Sequence, residues 1–280
     1  MPGREEEPHV PGPRRGPRLL LAGRDLRRVP QGLGRLPGEG HVLSSSDEDR
    51  LFLETTRRFA PRKLAREDVV AALRLAGVEP GKPVVDLGCG YGRHLRELLQ
   101  WGHRAVGIDR SALLLGEAGI EAPGASLVRG DLRALPLHAG TMAAAFCFYS
   151  SMFLGSDEDA ALALAEVARV LRPGGSLVLT TDNPLRLAAR PEAHFEEDVP
   201  GLGHVVEESN FDAETGVDTV HKSLRTSAGE ELRATFTIRY YAPEELARLA
   251  AVAGLTFLRT DEPLTESTPQ LVALLEKTEA

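Results

Sequence analysis

The sequence predicts an α/β protein built on a doubly wound, mostly parallel β-sheet. Short apolar runs typical of buried strands alternate along the chain with helical patterns. The run Ala143–Phe148 is apolar throughout, as expected for a central strand that is covered on both faces. The stretch Val84–His94 joins a β-branched run to a helix start through a turn that contains three glycines.

Length and composition limit the class of protein. The 280 residues suffice for one large α/β domain with additions, and 42% hydrophobic residues is ordinary for a folded core. Two cysteines, Cys89 and Cys147, favour a reducing compartment over a disulfide, so we expect a cytoplasmic protein. The longest uncharged run is too polar for a membrane span, and the histidines lack ligand spacing, so we expect neither membrane insertion nor a metal site.

The first 43 residues differ from the remainder of the chain. Gly, Pro and Arg dominate residues 1–43, which predicts a basic and disordered extension. An arm that contacts nucleic acid is the alternative interpretation. We expect one folded domain over residues 44–280, beginning near Ser44 with a helix whose serines and early acids form its start. A second helix is predicted over Glu67–Ala76.

The glycine turn restricts its ligand. Gly88, Gly90 and Gly92 remove the Cβ atoms that would keep a ligand off the backbone, and they allow positive φ angles. Amide N–H groups at the following helix start are predicted to face the ligand. Asp86 would repel a phosphate, so the ligand is expected to present a cation or a hydrogen-bond donor to Asp86.

Two further acids follow predicted strands. Asp109 ends the apolar run Ala105–Ile108, about twenty positions after the glycine turn, where nucleotide-binding folds place the carboxylate that binds ribose hydroxyls. Asp131 follows a third short strand, at a position where an adenine amine could donate a hydrogen bond to it.

These motifs together resemble the class I S-adenosylmethionine-dependent methyltransferases. The pattern from Asp86 to Gly92 is similar to the family's first motif, and Leu171–Leu177 is similar to the turn before its fifth strand. The resemblance covers roughly Asp68 to Lys277. It implies a Rossmann-like sheet of seven strands and S-adenosylmethionine as cofactor. The cofactor-binding residues that it implies are Asp86, Gly88, Cys89, Gly90, Asp109, Arg110, Asp131, Leu132 and Tyr149.

The later part of the chain completes the predicted fold. A helix is predicted over Asp157–Leu171, the fifth strand over Leu177–Thr181 and another helix over Pro243–Ala253. Two last strands, which the family pairs antiparallel, are expected over Leu255–Arg259 and Gln270–Lys277.

Residues 186–241 depart from the minimal family pattern. Three runs alternate apolar and polar residues, which predicts an antiparallel meander with two turns inserted over the active site. These runs are Gly203–Phe211, Val217–Arg225 and Glu231–Tyr241. Such an insertion resembles small-molecule methyltransferases; a dimerisation flap is the alternative.

The resemblance implies no fixed catalytic triad, because methyl transfer depends chiefly on in-line positioning. Tyr149 follows the fourth strand and is the first candidate for a residue near the methyl group, with Ser150 positioning the substrate. Both could equally be plain pocket wall. The resemblance also makes Arg57, Arg58 and Phe59 candidates for a lid, with a solvated basic face as the alternative.

We therefore expect methyl transfer to a nitrogen or oxygen of a small molecule by a monomer or homodimer. Methylation of RNA or protein is the alternative, but the net charge of −8 disfavours nucleic acid as a partner. A nucleotide-dependent oxidoreductase or a non-catalytic cofactor binder is less favoured, because Arg93 stands where the dinucleotide motif needs glycine.

Overall fold

The computed structural model describes residues 46–60, 62–149 and 151–278, and the predicted extension over residues 1–43 lies outside this range. The described chain folds into a main sheet of seven strands and a second sheet of four. The main strands are β1 Pro83–Leu87, β2 Arg104–Asp109, β3 Ser126–Arg129, β4 Met142–Cys147, β5 Leu171–Asp182, β10 Leu255–Thr260 and β11 Gln270–Lys277. The helices are α1 Ser46–Phe59, α2 Arg62–Ala76, α3 Arg93–Gln100, α4 Ala112–Glu121, α5 Asp157–Val170, α6 Pro184–Ala189 and α7 Pro243–Val252.

The strand order of the main sheet is β10-β11-β5-β4-β1-β2-β3. Strands β1 to β5 pair in parallel, and β11 pairs antiparallel with both β5 and β10. The predicted doubly wound, mostly parallel sheet of seven strands is therefore confirmed. Because β1 to β5 run the same way, the turns that follow them all lie at one side of the sheet, here called the carboxyl edge.

Apolar side chains cover both faces of the main sheet. One core cluster includes Val85 and Leu87 and packs under α5 and α7, and the other includes Val84 and Phe146 and packs under α2 and α3. All six residues of β4 are buried, as the apolar run predicts. Burying one Val, Leu or Phe side chain stabilises the folded state by about 1.5 to 3 kcal/mol relative to leaving that side chain exposed. The turns at the carboxyl edge thus extend from a sheet that is packed on both faces.

The second sheet is larger than the sequence predicts. It has four antiparallel strands, β6 Glu192–Val199, β7 Gly203–Asp212, β8 Val217–Thr226 and β9 Glu231–Arg239, in that order. The three predicted runs correspond to β7, β8 and β9, so the antiparallel meander is confirmed, but the prediction missed β6. Seven of the eight β6 residues are exposed, so this edge strand lacks the apolar alternation on which the prediction relied.

Two helical predictions also need correction. Helix α2 begins at Arg62, five residues before the predicted start, and the short helix α6 was not predicted. Buried Asn183 caps α6 by accepting the Leu185 N–H at 2.9 Å, with Pro184 in the first turn. The Asn183 Nδ2 also donates to the carbonyls of Thr265 and Thr268. This cap fastens the end of β5 to the loop before β11.

Helix α1 connects the two sheets. Its fully buried Leu51 packs against Val205, Leu224 and Leu232 on one face of the second sheet, and the Phe52 ring lies 5.2 Å from that of Phe236. No helix in the described part of the chain is long and apolar enough to span a bilayer.

Candidate active site

The glycine turn lies between β1 and α3 and has the predicted backbone. Gly88, Gly90 and Gly92 have φ angles of +70°, +53° and +86°. A Cβ atom at Gly88 would lie 2.4 Å from the Ser151 Cβ, so a side chain has no space there. No atom lies within 4 Å of a Cβ built at Gly90, which leaves open space beside the turn. The turn therefore offers bare backbone to a ligand.

Backbone hydrogen bonds fasten this turn to β2. The N–H groups of Gly88 and Cys89 both donate to the Ile108 carbonyl, at 2.8 and 3.0 Å. The Gly90 N–H donates to Asp109 Oδ2 at 2.8 Å. These three N–H groups hold the turn in place, so the groups available to a ligand are those of the α3 start.

Asp109 is held by the backbone. While Oδ2 accepts from Gly90, Oδ1 accepts the Ser111 N–H at 2.9 Å. Burial raises the pKa of Asp109, and the two N–H bonds oppose this shift. The Ser111 Oγ also caps α4 by accepting the Leu114 N–H. The carboxylate is thus oriented before any ligand arrives.

Two buried groups of opposite charge beside the turn lack hydrogen-bond partners within the described ranges. They are the Oδ2 atom of Asp86 and the Nη1 atom of Arg93. Asp86 is 1% exposed, and burial, with a smaller contribution from nearby Asp109, raises its pKa to about 7. Arg93 opposes that shift. Buried polar atoms without partners are costly, so this pair is suited to a ligand that carries both a donor and an acceptor.

Asp131 lies two residues beyond β3 and is exposed. Its carboxylate accepts from Arg133 Nη2 at 2.6 Å, and the same guanidinium donates to Asp159 at 2.7 Å. Leu132 is half-buried, and the Arg110 side chain is exposed. Among the three acids, Asp86 and Asp109 are thus buried together, whereas Asp131 lies at the surface.

The remaining predicted residues divide into three cases. The Cys89 side chain is 4% exposed and packs in the core, where burial raises its thiol pKa, so only its backbone faces the turn. Ser150 lies outside the described residues. Tyr149 is 40% exposed and is the one non-glycine residue of the described chain with positive φ, +58°. A strained backbone of this kind is common at functional sites.

Asp68 on α2 joins a network that the sequence analysis missed. Its Oδ2 accepts the Tyr149 hydroxyl at 3.0 Å and lies 3.1 Å from His94 Nε2. The Arg93 guanidinium lies 4.6 Å from the centre of the Tyr149 ring, and the His94 ring stacks on Phe148 at 4.0 Å. Burial lowers the His94 pKa to about 4, so this histidine is neutral near pH 7. The network fixes the Tyr149 ring at the carboxyl edge.

The comparisons with known proteins place the site in a methyltransferase-like region. Residues 84–175, which contain the glycine turn and all three acids, match a family model described as a methyltransferase domain. The chain is 34% identical over 169 residues to an uncharacterized 37.1 kDa protein in transposon TN4556 of Streptomyces fradiae, covering 58% of this chain and 47% of that protein. The chain spans about a third to a half of the curated relatives that it matches.

Solved structures extend the similarity to the whole fold. The CcbJ methyltransferase from Streptomyces caelestis aligns with a TM-score of 0.68 at 20% identity, over 81% of this chain and 96% of that one. CalS10, an amino pentose methyltransferase from Micromonospora echinaspora, aligns with a TM-score of 0.62 at 19% identity, over 85% and 100% of the chains. The likeness in fold to these two methyltransferases therefore extends well beyond residues 84–175.

Helix α1 covers the glycine turn of the methyltransferase domain. Asp49 accepts the Ser111 hydroxyl at 2.5 Å, and Arg57 pairs with Glu117 of α4 at 2.5 Å. The Arg57 guanidinium also lies 5.3 Å from the centre of the Tyr91 ring in the turn. These contacts place α1 beside the glycine turn, and its role as a lid stays a prediction.

The end of α1 also reaches the second sheet. The Phe59 ring meets Phe195 of β6 edge to face, with ring centres 5.1 Å apart, and both rings are partly exposed. Arg58 is exposed. Helix α1 thus contacts both the glycine turn and the second sheet.

Proposed function

We propose that this chain transfers a methyl group from S-adenosylmethionine to a nitrogen or oxygen atom of a small molecule. The observation that carries the proposal is that Asp86 Oδ2 and Arg93 Nη1, beside a bare glycine turn, are buried without hydrogen-bond partners in the described chain, with Asp109 at the next strand end. These groups lie in the region that matches the methyltransferase domain.

The residues at the carboxyl edge are suited to S-adenosylmethionine. Asp86 would accept from the ammonium of its amino acid part, and Arg93 would donate to its carboxylate, so each buried charge gains a partner. Asp109 would accept from the ribose hydroxyls. Asp131 and Leu132 would contact the adenine.

The chemistry requires alignment more than proton transfer to a leaving group. When bound, S-adenosylmethionine supplies a methyl group on a sulfonium, which becomes a neutral thioether. Tyr149 would form the wall beside the acceptor, with its ring held by Asp68 and Arg93. Helix α1 would exclude water from the site, held there by the contacts of Arg57 with Glu117 and Tyr91.

A small-molecule acceptor is supported by the second sheet and by the fold likeness to CalS10, an amino pentose methyltransferase. Residues 186–241 contain 11 Asp and Glu against 6 Lys and Arg, which disfavours a nucleic-acid partner. We also propose that the chain is a monomer or homodimer in the cytoplasm. Cys89 and Cys147 are both free and buried, which supports the cytoplasmic location.

Thermal unfolding tests the proposal directly. S-Adenosylhomocysteine well above its Kd should stabilise the full chain by a few kcal/mol, following the mass-action term RT ln(1 + [L]/Kd). NAD at the same concentration should leave the midpoint unchanged. Stabilisation by NAD, or by neither compound, would contradict the proposed function.

A further inference from the structure

The second sheet has an inner face directed toward α1 and the carboxyl edge. Alternate residues of a strand share a face, so the buried contacts of Val205 and Leu224 with Leu51 identify that face. Glu207 and Asp218 lie on it too, two and six residues along β7 and β8. This face is apolar near α1 and acidic at its other end.

Asp218 is the most unusual residue of the inner face. It is 4% exposed, and its Oδ1 atom has no hydrogen-bond partner in the part of the chain that the structure describes. Its carboxylate accepts the Asn210 N–H. Burial, with the nearby charges of Asp182 and Glu207, raises the Asp218 pKa. A buried carboxylate oxygen without a partner is costly, which indicates a donor that is not part of the protein.

Asp182 in the main sheet lies near Asp218, because the Tyr240 ring, whose hydroxyl bonds to Asp182, packs against Phe211, the residue paired with Asp218. Asp182 is the last residue of β5 and remains open to solvent, although the surrounding protein desolvates it enough to raise its pKa. The Tyr240 hydroxyl donates to Asp182 Oδ2 at 3.2 Å. Because Cys147 pairs with Leu179, Asp182 lies about one residue beyond the level of Tyr149 at the carboxyl edge.

The charges around this pair are mostly negative. Glu207 raises the pKa of both aspartates, and its own cation, Lys222, is bound to it at 2.7 Å. Arg186 lowers the pKa of Asp182. Asp182 and Asp218 therefore form an acidic pair with an unfilled hydrogen-bonding position beside the proposed site of methyl transfer.

We propose that Asp182 and Asp218 bind the acceptor as a protonated amine, which makes this chain an N-methyltransferase of primary or secondary amines. The inference rests on the proposed function and narrows its nitrogen-or-oxygen acceptor to nitrogen. An ammonium group supplies the donors and the positive charge that two carboxylates require, whereas an alcohol supplies one donor and no charge. An N–H proton then passes to a carboxylate oxygen, which frees the nitrogen lone pair. That lone pair forms the new N–C bond as the C–S bond of the sulfonium breaks and leaves a neutral thioether.

Calorimetry on the full chain saturated with S-adenosylhomocysteine tests this inference. The probes are two matched pairs, benzylamine with benzyl alcohol and cyclohexylamine with cyclohexanol. Each amine should bind about tenfold to a hundredfold more tightly than its alcohol, the range expected for charged hydrogen bonds. Asp218→Asn should reduce this ratio to near one while leaving S-adenosylhomocysteine affinity within about twofold of the parent.

Asp198→Asn is the matched control, because it neutralises a carboxylate of the same sheet whose side chain is 91% exposed. It should leave the amine preference unchanged. If Asp218→Asn does not fold, Asp182→Asn provides the same test at the carboxylate on the main sheet. Equal binding of amine and alcohol, no amine binding, or an unchanged ratio in both variants would overturn the inference. If the parent chain does not bind S-adenosylhomocysteine, that result would instead overturn the proposed function.

Discussion

The carboxyl edge and the second sheet hold buried carboxylates in different ways. Both oxygens of Asp109 accept backbone N–H groups from residues within twenty positions of it in the sequence. Asp218 accepts one backbone N–H from the neighbouring strand β7, and its Oδ1 atom has no hydrogen-bond partner among the described residues. The first acid is oriented by a local strand-turn-helix unit, whereas the second lies on a separate sheet. The residues proposed to bind the acceptor could thus be substituted without altering those proposed to bind the cofactor.

Gly88→Ala is the most severe test of the local unit. The new Cβ would lie 2.4 Å from the Ser151 Cβ at a φ of +70°, so steric overlap adds to backbone strain. We expect a loss of about 4 kcal/mol in the free energy of unfolding, measured by urea denaturation, and no detectable S-adenosylhomocysteine binding.

Gly81→Ala is its matched control. Gly81 has a φ of +82° but no atom within 4 Å of the built Cβ, so only strain remains. This variant should lose about 1 kcal/mol of unfolding free energy and bind S-adenosylhomocysteine with unchanged affinity. Equal losses in the two variants would show that contact with Ser151 does not limit the turn.

Asp86→Asn should separate stability from binding. The pKa of about 7 in the folded chain lies above the ordinary value of 3.8, so the folded state holds this proton more tightly and loses stability as the pH rises from 4 to 7. Asparagine removes that loss. The variant should gain about 3 kcal/mol of unfolding free energy at pH 8, less near pH 5 and nothing near pH 4.

The same variant should bind S-adenosylhomocysteine about tenfold to a hundredfold more weakly, because the ligand ammonium loses its charged partner. Urea denaturation across the pH range and calorimetry at pH 8 measure the two effects. A destabilised variant with unchanged affinity would contradict the role proposed for Asp86.

Asp109→Ala tests the ribose contact. We expect S-adenosylhomocysteine binding to weaken by ~1 to 3 kcal/mol, because ribose hydroxyls lose their acceptor and the Gly90 and Ser111 N–H groups lose theirs. Calorimetry measures the change, with Asp198→Ala on the second sheet as control. Unchanged affinity would refute the ribose role.

The smallest expected effect concerns the contact between α1 and the second sheet. Phe59→Ala removes an edge-to-face contact with Phe195 and should cost about 1 kcal/mol of unfolding free energy. A double-mutant cycle with Phe195→Ala should give a coupling energy of ~0.5 to 1 kcal/mol. Zero coupling would show that α1 and β6 stabilise the chain independently.

Much of the carboxyl edge could be predicted because its signals are local. The β-branched run, Asp86 and the glycines are contiguous in the sequence, and Asp109 ends the next strand. The Asp68 network was missed because it joins α2 to α3 and to the segment after β4, and no spacing rule relates those positions. Strand β6 was missed because an exposed edge strand carries no periodic apolar signal.

The sequence by itself determined the parallel sheet, the glycine turn and the order of the acids along the carboxyl edge. Each of these depends on residues close together in the chain, where periodicity and backbone conformation limit the possible structures. Only the tertiary structure decided that one side-chain atom each of Asp86 and Arg93 is buried without a hydrogen-bond partner and that Asp182 lies near Asp218. Burial and charge pairing depend on which distant segments pack together, and residues 182 and 218 come near each other through the contacts of Tyr240.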